Sequence, residues 1–497
     1  MQVFDNEQKR IAIVGGGASG IATFIAAVRQ RAAATIFIVD PAPVGQRTAF
    51  STSDDDLICN TSVDLMSVIP EARHDFLDYL TSLNYQATPS SYVPRRLVGE
   101  YLTERYREYR EIARRRGIEV IHLPWRFDTL RIEGQHRYRL LFTETFAEPL
   151  VVSDVIFCTG YDVPRVPDIM VPYQKHPTFI GSPFPEARML AKVTGKSRVL
   201  VVGSKLSAID AAILLCREGH QVTMLSPSGR LPTVRASCVR NDSVSWDLDY
   251  IASFMRHIAS RSPASLNFTL FRHVIRALSK NTAMPWRRQF SYAVSPAERL
   301  REEIAIAERG ECQWQDMIVT FVDALNWLYV RNRDQFQGKL SNFLEVLYPF
   351  FTAAALPNAQ KLMRYIDEGR LEIKRGTLDR LDASEPDAGF WLTDWGNGSQ
   401  SFDAIVNSTG YLGQTCIFNA GEIKFDTTGF RPEEVLDICL DMSATHPELH
   451  RKESIWFVGP AARARLLVSN ALFVIAPLAD EVIANMMNFS SSGNAWS

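Results

Sequence analysis

The stretch RIAIVGGGASGIATFIAAVRQRAAATIFIVD, Arg10 to Asp40, reads as a strand, a tight turn, a helix and a second strand. Ile11–Val14 is a continuous apolar run, as a parallel strand buried on both faces requires, and Ile21–Arg31 has helical apolar spacing. Between them Gly15, Gly17 and Gly20 satisfy G-x-G-x-x-G. In such a turn the first glycine permits the reversal, the second lets backbone approach a pyrophosphate, and the third lets the helix pack on the strand. The N–H groups at the helix start, at Ala18 and Ser19, then face the phosphates. Asp40 ends the second strand, where a carboxylate meets ribose hydroxyls. The turn alone admits either FAD or NAD.

The bulk numbers set limits around this motif. A chain of 497 residues, 46% hydrophobic and 22% charged, is globular and long enough for two or more domains. A net charge of −2 supplies no uniform attraction to phosphate backbones, so nucleic acid is not an expected partner. The N-terminal MQVFDNEQKRIAIVGGG is charged and runs straight into a strand, without the apolar core of a signal peptide. The longest apolar run, LLVSNALFVIAPL from Leu466 to Leu478, is short for a bilayer and is followed by Asp480 and Glu481. The expectation is a cytoplasmic protein with no membrane partner. The seven cysteines contain no C-x-x-C pair, which argues against a disulfide framework and a dithiol redox centre. The nine histidines show no metal-ligand spacing, so no metal site is expected.

A second turn follows in RVLVVGSKLSAIDAAILL, Arg198 to Leu215. Strand Val199–Val202 leads into Gly203 and Ser204, but Lys205 stands where the second glycine belongs. Ser207 precedes Ala208, which occupies the third glycine position and still permits close packing. One reading is a nucleotide fold that has lost its ligand. The other is a live site in which Lys205 contacts phosphate. The next strand ends at Ser226 without an acid, and SPSGR then brings Arg230. A carboxylate there would repel a 2'-phosphate, whereas serine and arginine accept one, which predicts NADPH over NADH.

The repeat extends beyond the turns. Segments Ile118–His122, Phe127–Glu133 and Tyr138–Thr143 read as a small antiparallel meander leading to SDVIFCTGY, Ser153–Tyr161. Segments Leu371–Lys374, Leu378–Leu381 and Gly389–Asp394 repeat that pattern and lead to FDAIVNSTGY, Phe402–Tyr411, which contains Gly410. Two such halves imply two dinucleotides. Between Asn241 and Gly369 lies a helical insert too long for a loop, with helices expected at Trp246–Ser260 and Ala297–Arg309. Its Trp246, Trp286, Trp314 and Trp327 are expected mostly in the core, with one or two left to wall a cofactor pocket.

These motifs resemble the flavoproteins with two dinucleotide-binding domains, a group that includes flavin-containing and N-hydroxylating monooxygenases. Asp403 to Tyr411 is similar to the aspartate-to-ATGY signature of the N-hydroxylating enzymes, with Asn407 and Ser408 as departures. A closer resemblance is to a bacterial family of FAD-NAD(P)-binding proteins associated with a urate hydroxylase and with enzymes that oxidise the amine of aspartate. It is carried by VGGGASG, GQRTAFST (Gly45–Thr52), LICNTSVDLMS (Leu57–Ser67), YVPRRLVGEYL (Tyr92–Leu102), SPSGRLP (Ser226–Pro232) and WQDMIVTFVDALNWLY (Trp314–Tyr329).

The resemblance implies an α/β fold of two Rossmann-like domains, for FAD and NAD(P), with β-meanders and the helical insert. Residues 1–165 would begin the FAD domain, 166–411 would form the NADPH domain with its insert at about 241–369, and 412–497 would return to the FAD domain. It places Gln46, Asn60 and Arg96 along the FAD, although a loop residue, a turn asparagine and a solvated basic pair would look the same in sequence. Many FAD proteins close this fold with Gly-Asp, but IWFVGPAARAR supplies Gly459 and Pro460, leaving backbone groups to meet the flavin. FFTAAALPNAQ, Phe350–Gln360, also departs from the histidine- and arginine-rich stretch of the family.

The expected activity is an FAD- and NADPH-dependent monooxygenase that passes oxygen from a flavin peroxide adduct to an amine or amino acid, with molecular oxygen as co-substrate. Two alternatives stay open, a flavin reductase without oxygen insertion and a non-enzymatic flavin-binding protein. No catalytic side chain is assigned.

Overall fold

The computed structural model describes residues 9–45, 50–161, 163–246, 248, 253, 263–336, 341–383, 391–396 and 398–492. Two parallel sheets of five strands organise them. The first runs, edge to edge, Ile455–Phe457, Asp154–Phe157, Arg10–Val14, Thr35–Val39 and Glu119–Leu123. The second runs Phe179–Ile180, Ala404–Asn407, Arg198–Val202, Gln221–Ser226 and Leu371–Arg375. The strand that leads into each turn lies at the centre, so the same unit is built twice. The copies differ at one edge, because the outer strand comes from the end of the chain in the first and precedes the turn in the second.

Burial explains why these segments are strands. Ile11, Ala12, Ile13 and Ile36 in the first sheet, and Val199, Leu200, Val201 and Ile405 in the second, are all fully buried. Continuous apolar runs of this length satisfy a sheet covered on both faces. The helices Ala18–Gln30 and Arg95–Arg115 cover the first sheet, and Leu206–Arg217 and Leu356–Asp367 cover the second.

The structure corrects the meander reading at one point in each half. Glu119–Leu123 pairs in parallel with Thr35–Val39, and Leu371–Arg375 pairs in parallel with Gln221–Ser226. Each is the edge strand of a nucleotide sheet, since a five-residue alternating run carries no signal of its partner's direction. The first antiparallel sheet consists of Phe127–Gly134, Arg137–Phe142 and Leu150–Val152, extended by Thr415–Asn419 and Glu422–Asp426 from the return segment. The second holds Arg380–Ala383, Trp391–Trp395 and Gly398–Phe402.

The insert contains helices Pro263–Asn281, Pro296–Glu308, Ile318–Phe336 and Ser341–Phe351. Most of the expected helix Trp246–Ser260 falls outside the described residues. Leu356–Asp367 belongs to the second nucleotide unit as its crossover helix, so the insert ends earlier than the sequence suggested. Helix Leu472–Ser492 carries an 18-residue apolar window, Leu472–Phe489, that begins inside the Leu466–Leu478 run and continues past Asp480. It packs along Ala18–Gln30, burying Ala479, Val482, Ile483 and Met486 completely, with Asp480 ion-paired to Arg29 at 3.3 Å.

The two units meet through polar contacts. Two chain crossings pair with each other, the Arg165 N–H donating to the Gly410 carbonyl at 2.9 Å and the Leu412 N–H to the Val163 carbonyl at 2.8 Å. Arg217 pairs with Asp54 at 2.7 Å and Asp56 at 2.9 Å. More deeply placed is Arg95, which donates to Asp210 at 2.6 Å and to the Ile58 carbonyl at 3.1 Å. Burial raises the Asp210 pKa above the ordinary carboxylate value while the Arg95 charge opposes it. Arg95→Ala would strand a carboxylate that is 2% exposed. The expected cost is about 3–5 kcal/mol of stability, measured as a lowered urea midpoint at neutral pH.

Candidate functional site: two nucleotide turns

At the first turn Gly15 has φ of +113°, and a Cβ there would stand 2.6 Å from the Cys158 carbonyl oxygen. At the second turn Gly203 has φ of +134°, and its Cβ would stand 2.5 Å from the Ser408 carbonyl oxygen. Only glycine combines that backbone with that approach. Cys158 and Ser408 each open a Thr-Gly-Tyr segment, so the two turns and the two strand ends correspond position by position. A Cβ on Gly20 would stand 1.8 Å from the Gly15 carbonyl oxygen, so no side chain fits there, whereas its counterpart Ala208 is accommodated and fully buried.

The helix beginning at Ala18 has Gly17 at its cap, no side-chain capping bond and no acid in its first turn. The helix beginning at Leu206 has Lys205 at its cap and shares both features. Uncapped N–H groups carrying the positive end of a helix dipole suit a pyrophosphate, so both turns fit the group their sequence implies. Gly459, with φ of +70°, lies over the first helix start, where a Cβ would reach within 2.1 Å of the Ser19 hydroxyl. The return segment thereby closes over the first turn with backbone alone.

The ends of the second strands separate the two sites electrostatically. Asp40 is buried, and its carboxylate accepts the Gly16 N–H at 2.7 Å and the Ala42 N–H at 2.8 Å. In the second unit the Ser204 hydroxyl donates to the Arg230 carbonyl at 2.8 Å and shares a hydrogen bond with the Ser226 hydroxyl at 2.8 Å, which fixes the SPSGR turn. Arg230 lies on that turn beside Arg375, the last residue of the adjacent strand, whose Cβ lies 2.8 Å from where a Gly229 Cβ would be. Neither arginine has an ion-pair partner among the described residues. The Lys205 ammonium sits 5.0 Å from the ring centre of Tyr348. Desolvation lowers its pKa, and the Glu345 charge opposes that shift.

Sequence reading did not find Arg375. Its signal was the strand it terminates, and assigning that strand to the meander concealed it. The other expected residues are dispersed. Arg96 is ion-paired with Asp55 at 2.5 Å and Glu100 at 3.1 Å on a partly exposed face. The Asn60 side chain accepts the Ala355 N–H at 3.5 Å, in the second unit. Ser207 is half-buried on the first turn of its helix, Gly410 faces open space, and Gln46 lies outside the described residues.

The Asp-to-Tyr signature has structural roles at its first residue, Asp403, and at one of its departures, Asn407. Asp403 accepts the Arg198 N–H at 2.6 Å, as Ser153 accepts the Arg10 N–H at 3.1 Å in the first unit. Asn407 is buried and donates to the Arg165 carbonyl at 2.8 Å and the Gly181 carbonyl at 3.0 Å. Its carboxamide therefore locks the crossing segments to the strand end. Among the described residues no group of three or more His, Cys, Asp or Glu side chains is placed to hold a metal ion.

These features define an α/β fold with two Rossmann-like dinucleotide-binding units and a helical insert. Residues 12–162 match the model of a family described as FAD-NAD(P)-binding. No curated protein matches the sequence. The fold is shared with solved structures over nearly the whole chain. An ornithine N-hydroxylase of Kutzneria sp. 744 is similar at 13% identity and a TM-score of 0.54, covering 97% of this chain and 99% of that one. A cadaverine monooxygenase of the desferrioxamine biosynthetic pathway from Erwinia amylovora is similar at 11% identity and a TM-score of 0.53, covering 96% and 94%. An L-lysine 6-monooxygenase from Pseudomonas syringae is similar at 14% identity and a TM-score of 0.52, covering 96% and 99%.

Proposed function

We propose that the protein is an FAD- and NADPH-dependent monooxygenase that oxygenates the nitrogen of a small amine or amino acid in the cytoplasm. The observation that carries this reading is the duplicated turn with opposite charge at its two strand ends. Asp40 suits an unphosphorylated ribose, and Arg230 with Arg375 suits a 2'-phosphate. Three structures that share the fold are named as enzymes acting on ornithine, cadaverine and lysine, which supports an amine as substrate. Residues 1–165 and 412–497 would hold FAD, and residues 166–411 would hold NADPH.

When bound and reduced by NADPH, FAD supplies the oxygen activation that side chains lack. The chain's own work is to bind, orient and exclude water. Gly15, Gly17 and Gly20, with the Ala18 and Ser19 N–H groups, would take the flavin pyrophosphate, and Gly459 would close that site. Gly203, Ser204, Ser207 and Ala208 would cradle the second pyrophosphate. Lys205 would supply a charge to it, while Ser226 holds the turn that presents Arg230.

Lys205→Gly is expected to raise the KM for NADPH about tenfold, as loss of one charge-assisted hydrogen bond of roughly 1.5 kcal/mol would. An unchanged KM would return Lys205 to packing on Tyr348. The activity itself is tested by following NADPH and oxygen consumption with the purified flavoprotein against a panel of amines and amino acids. Consumption coupled to a hydroxylated amine is expected for at least one of them. Oxygen uptake ending only in hydrogen peroxide with every amine would overturn the reading, and NADPH oxidation by an organic acceptor without oxygen would replace it with a reductase.

A further inference from the structure

A cavity of about 660 Å³ lies between the end of the second parallel sheet and the helical insert. Lys205, Arg230 and Arg375 stand at the nucleotide end, and Trp246, Trp286, Trp314, Phe290, Phe321 and Phe350 are among its walls. Phe271 and Tyr292, 40% and 65% exposed, also line it and offer an apolar way in from solvent. Among the described lining residues none belongs to 1–165 or 412–497. The cavity therefore adjoins the 2'-phosphate side of the second turn and does not reach the first turn or either Thr-Gly-Tyr segment.

Charge and size both select an occupant. The only carboxylate among the described lining residues is the exposed Glu345. Of the four lining cations only Arg299 has an ion-pair partner among the described residues, Glu303 at 2.9 Å. Three cations at one end of an aromatic chamber call for an anion attached to an apolar body. Cavities of about 300–1,000 Å³ take whole drug-sized molecules, so this one exceeds what a single nucleobase requires.

We propose that this cavity is a binding site for an aromatic acid, its flat body among the tryptophan and phenylalanine rings and its carboxylate, sulfonate or phosphate on Lys205, Arg230 and Arg375. Stacked rings and a charge-assisted contact at one end supply both affinity and orientation. Because Arg230 and Arg375 would also meet a 2'-phosphate, such an acid competes with NADPH. That consequence rests on the proposed nicotinamide site, whereas the binding itself does not.

The test uses the flavin-loaded full-length protein and two probes that share an aromatic body, 1-anilinonaphthalene-8-sulfonate and its neutral analogue N-phenyl-1-naphthylamine. Saturable fluorescence enhancement is expected, with the sulfonate bound at least about tenfold more tightly, as one charge-assisted contact implies. Arg375→Ala should remove that preference, and Ile275→Trp, which fills the chamber, should weaken both probes. Circular dichroism of each variant separates these effects from unfolding. Equal affinity for the two probes, or sulfonate binding unchanged in both variants, would overturn the proposal. NADPH should displace the sulfonate at lower concentration than NADH, which lacks the 2'-phosphate that meets Arg230 and Arg375. If displacement alone fails while both variants behave as stated, the cavity stands and the nicotinamide assignment falls.

Discussion

Gly203→Ala is expected to leave a protein that keeps its flavin but is reduced by NADPH with a kcat/KM lowered roughly 10- to 100-fold, the effect of about 1–3 kcal/mol of backbone strain. The added methyl must enter at φ of +134° and 2.5 Å from the Ser408 carbonyl oxygen, so the turn shifts and its N–H groups lose their aim. Gly15→Ala makes the same intrusion at φ of +113°, 2.6 Å from the Cys158 carbonyl oxygen, and should instead yield protein depleted of flavin. Visible absorbance reads the flavin content, and anaerobic stopped-flow reads the reduction. Loss of flavin in both variants would mean that the turns are not separate sites with separate tasks.

The paired change Arg230→Ala and Arg375→Ala is expected to raise the KM for NADPH roughly 100-fold or more, since each charge-assisted contact contributes about 1.5–3 kcal/mol. The KM for NADH should stay near its starting value, because an unphosphorylated ribose makes no use of either guanidinium. The preference for NADPH would then shrink towards parity. An equal rise for both nucleotides would place these arginines on the pyrophosphate, or on the fold, and not on the 2'-phosphate.

Much of this architecture is readable in the sequence because a parallel strand buried on both faces leaves a continuous apolar run, and a nucleotide turn leaves fixed glycines. Ile11–Val14 and Val199–Val202 carry the first signal, and Gly15, Gly20 and Gly203 carry the second. The duplication was legible too, through the repeated Thr-Gly-Tyr, whereas the insertion of one unit within the other was implied only by the family resemblance. Strand direction was not. Glu119–Leu123 and Leu371–Arg375 alternate too briefly to show whether a partner runs parallel or antiparallel, and misplacing the second hid Arg375.

Contacts between distant segments were also beyond reach. In "YVPRRLVGEYL" the two arginines look alike, yet Arg95 is buried against Asp210 while Arg96 pairs at the surface with Asp55 and Glu100. Helical phase decides between them, and it depends on packing against a second unit more than a hundred residues away. The aromatic cavity has the same origin. Its walls come from Trp246 to Phe351, and only the folded insert gathers them around three cations from the nucleotide sheet.

The most direct test of the central claim follows isotopically labelled dioxygen into product. With NADPH and a turned-over amine, the account predicts that one labelled oxygen atom appears in the hydroxylated nitrogen group and the other in water. Product oxygen derived from solvent, or NADPH oxidation that proceeds at full rate without dioxygen, would contradict it.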